Sequence, residues 1–295
     1  MNRPDLRQLV GTSGGITVQP VFEFELSGTG KGLPTGCTKN ESDGSYIVCN
    51  TGRHTVEVFL SELMHRRTIG GRQFHQPSGA VPVDEGRLLL VKNTSNLALV
   101  DLRTSDVEIT VKGQNFYGLA VTRHYYAVSI EDAFIGSGSV IRIYDLRNPV
   151  HCCLSHPFDR ILKAAGLASD DDRVRSRPRF LDAVENLLVV TDLGDGVQKV
   201  YAVSLEEGVL LSHFGGTGQF KFVSGVRIDG AGNVLIGDAK NSSATLFDCA
   251  GNTLGVVTGP PKALGFVSDL HLTNSGQLMA CDRTGDVCRL FQLHN

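Results

Sequence analysis

The sequence has no tryptophan and only three methionines, and aromatic residues make up 7% of it. No apolar run approaches the roughly 20 residues that a membrane-spanning helix requires. The segment Met1–Arg7 is polar, so it lacks the apolar core of a signal peptide. Apolar residues at 41% and charged residues at 20% are typical of a globular protein. We therefore expect neither a membrane span nor a membrane partner.

The seven cysteines show neither the even number of a disulfide framework nor the spacing of a zinc site. They are Cys37, Cys49, Cys152, Cys153, Cys249, Cys281 and Cys288. Most lie in or beside apolar runs, where cysteine behaves as a small hydrophobic residue. Cys152 and Cys153 are adjacent, a spacing that rarely suits one metal ion or one disulfide. We predict buried structural thiols, no metal or other cofactor, and a reducing, cytoplasmic location.

The motifs of common catalytic sites are also missing from the sequence. There is no G-x-S-x-G, no H-E-x-x-H and no phosphate-binding loop, since Gly28-x-Gly30-x-Gly32 lies in a predicted turn. The nine histidines are scattered along the chain. We expect no enzymatic activity from this chain.

A repeat of about 40–45 residues is what the sequence does contain. The segment Gly215–Gly251 predicts three short strands joined by tight turns, and Thr253–Val257 adds a fourth. Aligned on Ser224-Gly225, the pattern recurs at Thr35-Gly36, Ser78-Gly79, Tyr117-Gly118, Phe180-Leu181 and Ser268-Asp269. Four strands per repeat of this length are typical of a β-propeller blade. We predict an all-β fold, a six-bladed β-propeller.

The two ends of the chain are predicted to close this propeller together. Gly15–Leu26 alternates apolar and acidic residues, as a half-buried strand does, but has no partner nearby in sequence. The last repeat ends after Cys288–Leu293, one strand short. We predict that the N-terminal strand completes the last blade, which removes two exposed sheet edges. Residues 1–13 then form a flexible N-terminal extension, and residues 14–295 form one propeller domain.

The third repeat is followed by an insertion, Pro157–Arg179, rich in arginine. Within it we predict a short helix, Ile161–Ala168, with Asp159 as its N-cap. A second long loop, Glu131–Gly138, is predicted between the middle strands of the third repeat.

Two motifs resemble the NHL repeat: Phe74-x-x-Pro77-Ser78-Gly79 and Gly232-Asn233-x-x-x-x-Asp238-x-x-Asn241. The resemblance extends over nearly the whole chain from about Gly14. The third and fourth repeats have lost the proline, and the fourth has also lost the glycine. The resemblance implies an NHL-type propeller similar to the C-terminal domain of tripartite-motif NHL proteins. Similar propellers act as RNA readers, protein docks or enzymes, so the fold leaves the function open.

Propeller geometry separates the loops by charge, although the net charge is only −3. The loops that enter the first strand of each blade, and those between its second and third strands, emerge on one face, the top. The predicted top loops sum to about +4, and the loops of the opposite, bottom face sum to about −9. The polar residue that ends each second strand is predicted to form turns and hydrogen bonds.

A basic face with aromatic and amide side chains favours RNA, because phosphates respond to summed positive charge and bases stack on aromatic rings. Several tripartite-motif NHL proteins bind single-stranded or stem-loop RNA through this face, so the resemblance implies RNA binding and post-transcriptional repression of mRNAs. The predicted phosphate-contacting or stacking cations are Arg53, Arg72, Lys92, Arg177, Arg179, Lys221, Lys240 and Arg283. The predicted base-reading residues are His54, His75, Gln76, Asn96, Asn115 and Asn241. The predicted stacking residues are Tyr117, Phe180 and Phe222, whereas Phe74, Phe116 and Phe220 match a packing position of the repeat.

Protein docking is the alternative function. A propeller can recruit substrates for a ubiquitin ligase, and the loops Glu131–Gly138 and Pro157–Arg179 could form such a surface. No RING or B-box cysteine pattern occurs in this chain, so a ligase activity would need a further segment. We expect no DNA partner and, for the isolated domain, a monomer.

Overall fold

The computed structural model describes residues 3–26, 32–60, 64–112, 115–131, 138–167, 176–260 and 263–295. Strand β1 spans Gly15–Phe24, and β2–β5 span Pro34–Lys39, Tyr46–Asn50, Thr55–Phe59 and His65–Gly70. Strands β6–β9 span Gly79–Val83, Leu88–Lys92, Asn96–Asp101 and Val107–Lys112. Strands β10–β13 span Asn115–Val121, Tyr125–Glu131, Ser139–Asp145 and Asn148–Pro157.

The second half of the chain repeats the same pattern. Strands β14–β17 span Pro178–Val184, Leu187–Asp192, Lys199–Ser204 and Leu210–Gly215. Strands β18–β21 span Val223–Ile228, Val234–Asp238, Ser243–Phe247 and Thr253–Thr258. Strands β22–β24 span Val267–Leu272, Gln277–Asp282 and Val287–His294. The helix α1 spans Phe158–Ala164, and 3-10 turns span Leu6–Leu9, Thr51–Arg53, Asp84–Gly86, Gly194–Gly196 and Ala239–Asn241.

These strands form an all-β propeller. Four antiparallel sheets of four strands, β2–β5, β6–β9, β10–β13 and β14–β17, are joined by one eight-stranded sheet ordered β18-β19-β20-β21-β1-β24-β23-β22. The innermost strands contact one another in the order β2, β6, β10, β14, β18 and β22, and β22 contacts β2. The ring of inner strands is therefore closed.

The described strands form five sheets, whereas the sequence predicts six separate blades. The difference arises at β1, because this strand pairs along both of its edges. It pairs antiparallel with β24 from Thr17 to Phe24, so the first strand joins the last one. Its first three residues also pair parallel with Val256–Thr258 of β21, and this short ladder merges two groups of strands into one sheet.

Apolar side chains that alternate along the strands fill the spaces between neighbouring sheets. Between the first two sheets, for example, Ile47, Val56, Ala80 and Leu89 are buried in one cluster. Each fully buried valine, leucine or isoleucine side chain of this cluster stabilises the fold by about 1.5–3 kcal/mol. The three phenylalanines predicted to pack also contribute to the core. Phe74 and Phe116 are buried, and Phe220 packs edge-on against Phe247.

The cysteines divide into two groups. Cys37, Cys49, Cys281 and Cys288 are buried, as predicted, and Cys249 is half-buried. Cys152 and Cys153 are exposed, contrary to the prediction. The physical reason is that they lie on β13, the outermost strand of its sheet, most of whose residues are exposed.

In the arginine-rich insertion, α1 begins at Phe158, three residues earlier than predicted. Its apolar face, Phe158, Ile161 and Leu162, is buried in the core, and this face decides where the helix begins. Pro157 is the N-cap residue, and Asp159 instead accepts a hydrogen bond from the Ser176 hydroxyl, so it is not the predicted cap. Most of the predicted loop Glu131–Gly138 and residues 168–175 of the insertion lie outside the described residues.

Residues 3–13, for which the sequence predicts a flexible extension, contact the bottom of the ring. Leu6 is buried, and its backbone N–H donates to the carboxylate of Asp229 at 2.9 Å. Arg3 forms an ion pair with Asp182 and donates to the carbonyl of Ile228 at 2.7 Å.

Among the described residues, no helix is both long and apolar enough to cross a bilayer.

Candidate functional site

The candidate site is the top face, where the first strand of each sheet begins and the second strand ends. Carboxylates at the ends of the second strands fix its loops. Asp238 accepts hydrogen bonds from the backbone N–H groups of Lys221 at 2.8 Å and Phe222 at 3.0 Å, and from the side chain of Asn241 at 2.7 Å. The loop before β18 and the turn after β19 are thereby tied to one carboxylate.

The same arrangement recurs around the face. Asp192 accepts from the backbone N–H groups of Arg177 and Gly194, and Asp282 accepts from that of Phe266. Burial raises the pKa of Asp192. Burial also acts to raise the pKa of Asp282, but its several hydrogen bonds together lower it. At Asp192, Asp238 and Asp282 the carboxylates hold loops in place, which is the turn-forming role predicted for the polar residues that end the second strands.

At the inner rim of the top face, three predicted site residues lie together. The guanidinium of Arg179 lies over the ring of Tyr117, 3.7 Å from its centroid. The ammonium of Lys92 donates to the backbone carbonyl of Tyr117. Arginine and tyrosine stacked in this way form a flat, cationic surface at the mouth of the ring.

Lys92 is buried, with only 7% of its surface exposed, so it is not the surface cation that the sequence predicts. Burial and, to a lesser extent, the charge of Arg179 lower the pKa of Lys92, the charge of Asp269 opposes them, and the net result is a pKa of about 8. The buried ammonium of Lys92 therefore adds positive charge at the inner rim of the top face.

Five of the predicted cations are exposed on the loops around this rim: Arg72, Arg177, Lys221, Lys240 and Arg283. Neither these five cations nor the half-buried Arg179 forms an ion pair with another residue that the structure describes. Arg53 is half-buried at the start of this rim.

Several cations of the bottom face are instead paired with carboxylates. The pairs are Lys39 with Glu41 at 3.5 Å, Arg66 with Asp43 at 3.9 Å, Arg87 with Asp84 at 2.7 Å and Arg147 with Asp145 at 2.7 Å. The top-face cations thus remain available to an anionic ligand to a greater degree than those of the bottom.

Two groups of predicted base-reading residues lie apart on the top face. In the first, the rings of His54 and His75 are 5.5 Å apart, and His54 Nδ1 accepts from the backbone N–H of Gln76 at 3.0 Å. Thr94 donates to the side-chain oxygen of Gln76 at 3.3 Å. Asn115 is exposed at the start of β10.

The second group surrounds Phe222, whose ring centroid is 6.1 Å from that of Phe266 and 5.9 Å from the ammonium of Lys240. Two predicted base-reading amides have structural partners, since Asn241 binds Asp238 and Asn96 accepts from Asn93 at 2.8 Å. Phe180 packs against the core between its own sheet and the next one, which limits the ring surface that it offers.

Sequence reasoning missed a cavity of about 850 Å³ on the bottom side of the ring. Its lining includes Arg3, Lys39, Asp182, Arg227 and His271. Burial lowers the pKa of His271 well below its usual value, and its buried Nε2 has no hydrogen-bond partner within the described structure. Polar residues in the inner strands β18 and β22, where apolar ones are expected, are the signal that could have indicated this cavity.

Comparison with known proteins supports the fold. No family model and no curated protein matches the chain. Among solved structures, the chain is similar to the crystal structure of RRP9 WD40 repeats, with a TM-score of 0.60 over 96% of this chain and 98% of that one. The sequence identity is 14%, which shows a shared fold only. The chain is therefore a β-propeller, and its resemblance to the NHL family stays a prediction.

Proposed function

We propose that this chain is an RNA-binding module that takes short single-stranded or stem-loop RNA on its top face and acts in post-transcriptional repression of mRNAs. The observation that carries the proposal is the contrast between the faces: six top-face cations have no ion pair with a described residue, while four bottom-face cations do. A cation that has no ion pair among the described residues gives up no carboxylate of that part of the chain when it binds phosphate, so its charge contributes to affinity. We also propose that the eight-stranded sheet corresponds to two blades of an NHL-type, six-bladed propeller.

In this proposal the outer and inner parts of the face have different roles. The exposed cations Arg72, Arg177, Lys221, Lys240 and Arg283 contact backbone phosphates, and this term depends steeply on salt. The Arg179–Tyr117 stack and the ring of Phe222 offer π surfaces to bases, each worth about 1–3 kcal/mol per base. The polar group around His54, His75 and Gln76 hydrogen-bonds to base edges.

A binding titration with two double variants tests the proposal. Fluorescence anisotropy follows a labelled RNA, selected from a random pool, at two salt concentrations. Arg72→Ala with Arg283→Ala is expected to weaken binding across sequences and to reduce the salt slope by about two, roughly one per lost phosphate contact.

The matched control removes two exposed bottom-face cations, by Arg103→Ala with Arg123→Ala, and so makes the same change in net charge. We expect this control to retain the wild-type affinity and slope. Equal losses in the two double variants would indicate non-specific attraction by net charge and would refute a top-face site. No RNA retained by wild type at low salt would refute RNA binding altogether.

Protein docking remains the second candidate, and exposed apolar residues favour it. Val150 and Leu154 are exposed on β13, and Val209 and Leu211 are exposed at the outer strand of the next sheet. A contiguous exposed apolar patch marks a protein-binding surface, and this second function requires that these four side chains form one. Retention of a protein ligand by wild type, together with its loss in Val150→Asp, would support this function.

A further inference from the structure

We propose that Cys37, Cys281 and Cys288 form a binding site for a soft, thiophilic metal ion. The three Sγ atoms all lie within 4.8 Å of one another, and all three residues are buried. This thiol cluster is separate from the top face, so the inference does not depend on the proposed function.

The spacing of the sulfur atoms suits a shared ion. Zinc–sulfur bonds of about 2.3 Å in a three-sulfur arrangement place the sulfur atoms about 4 Å apart, which the observed separations allow. Thiolate ligands select ions such as Zn²⁺ and Cu⁺ over Mg²⁺ or Ca²⁺, which prefer oxygen. Among the described residues, no His, Asp or Glu joins the three cysteines in this cluster, so the ligand set is purely sulfur.

The protein also holds the three cysteines in place. Cys281 and Cys288 are directly paired across β23 and β24, so their side chains emerge on the same face of the sheet. The backbone N–H of Cys37 donates to Asp269 at 3.1 Å, and Arg227 in turn binds the same carboxylate. Such outer partners orient metal ligands in characterised sites.

The position of the cluster gives an ion a structural role. Cys37 lies on β2, the inner strand of the first sheet, whereas Cys288 lies on β24, beside β1, and Cys281 lies on β23, the neighbour of β24. A bound ion would therefore link the beginning of the ring to its end. Each thiol that ligates the ion releases its proton to solvent, so affinity falls as pH is lowered. An ion that binds only the folded chain raises its stability by mass action.

Cadmium serves as the probe, since its thiolate bonds give an ultraviolet charge-transfer band. The full chain carries Cys152→Ser and Cys153→Ser, which remove the exposed thiols, and is refolded from the reduced, unfolded state with and without Cd²⁺. We expect the band to saturate at one Cd²⁺ per chain and the thermal unfolding midpoint to rise. Competition with Zn²⁺ and with Cu⁺ under anaerobic conditions then ranks the two ions.

A further change, Cys37→Ser in this background, is expected to lower the Cd²⁺ affinity at least tenfold, while Cys49→Ser, at another buried thiol, is expected to leave it unchanged. The chain that carries only Cys152→Ser and Cys153→Ser is the parent of these variants. Its own Cd²⁺ titration decides the test even if a variant fails to fold. Absence of the band in that parent, or equal loss of affinity in the two variants, would overturn the site. Loss of two hydrogen masses from the parent, without Cd²⁺ binding, would instead indicate a disulfide between two of the remaining cysteines and would also overturn it.

Discussion

Arg227 donates two hydrogen bonds to the carboxylate of Asp269, at 3.0 and 3.2 Å, inside the ring of inner strands. The two side chains are 15% and 13% exposed, so water screens the pair weakly. They belong to neighbouring inner strands, β18 and β22, and the pair joins these strands across the channel wall. Asp269 also accepts from the backbone of Cys37 on β2, so one carboxylate connects three inner strands.

Asp269→Asn is expected to destabilise the protein by about 3–5 kcal/mol, because it removes the carboxylate that Arg227 binds in a poorly hydrated place. Urea unfolding measures the change. The matched control is Asp84→Asn, which breaks a pair with Arg87 whose side chains are 67% and 52% exposed, and it is expected to cost about 1 kcal/mol or less. The double variant Arg227→Met with Asp269→Leu should be more stable than Asp269→Asn. Equal costs for the two asparagine variants would contradict this account.

Lys92→Met is expected to change how stability depends on pH. Burial lowers the pKa of Lys92 from 10.5 to about 8 in the folded protein. Between these two values the unfolded chain binds more protons than the folded chain, so stability rises as pH increases from about 8 to 10.5. The full effect is on the order of 3 kcal/mol.

Urea unfolding of wild type and Lys92→Met at pH 7.5 and 9.5 measures this effect. Cysteines and tyrosines also titrate in this range, but they are common to both proteins, so the difference between the two isolates Lys92. Wild type should gain more stability than the variant when pH is raised. The same gain in both proteins would show that Lys92 is solvated.

The repeat could be read from the sequence because each blade is a local unit. Tight turns and apolar alternation lie within a few tens of residues. The four strands predicted from Gly215–Gly251 and Thr253–Val257 are accordingly found as Val223–Ile228, Val234–Asp238, Ser243–Phe247 and Thr253–Thr258. The top-face loops could be assigned for the same reason, since strand order alone fixes the face on which a loop emerges.

Contacts between distant parts of the chain could not be predicted in this way. The Arg227–Asp269 pair, the ion pair of Arg3 with Asp182 and the cluster of Cys37 with Cys281 depend on how distant strands and the N-terminal segment meet around the ring. The burial of Lys92 has the same origin, because its side chain turns inward to a carbonyl of the next sheet. The alternation of apolar and polar residues predicts which face of a strand is buried, but not which other element packs against that face.

Leu6→Ala is expected to destabilise the protein by about 2–5 kcal/mol, the usual cost of truncating a buried leucine. Leu6 is 1% exposed in the cluster that includes Leu246 and Leu270, although it precedes the first strand. The matched control is Leu211→Ala, at a leucine that is 58% exposed, and we expect a change within about 0.5 kcal/mol. Similar small effects of both changes on the urea midpoint would show that residues 3–13 are not docked.

Phe222 offers a way to separate stacking from charge in the proposed RNA site. Phe222→Leu keeps apolar packing against Phe266 but removes the aromatic ring, so a stacked base would lose about 1–3 kcal/mol. Affinity for RNA should then fall roughly 5- to 150-fold, since about 1.4 kcal/mol is tenfold. The salt slope should stay unchanged because no cation is lost.

Phe222→Tyr retains a ring and is expected to keep most of the wild-type affinity, whereas Arg283→Ala should reduce the salt slope by about one. Anisotropy titrations of the three variants at two salt concentrations, with thermal unfolding to verify folding, distinguish the two contributions. If Phe222→Leu binds RNA as tightly as Phe222→Tyr, the ring does not stack on a base, and the aromatic contribution must come from the Arg179–Tyr117 pair at the inner rim. If all three variants bind as wild type does, the RNA lies elsewhere on the propeller.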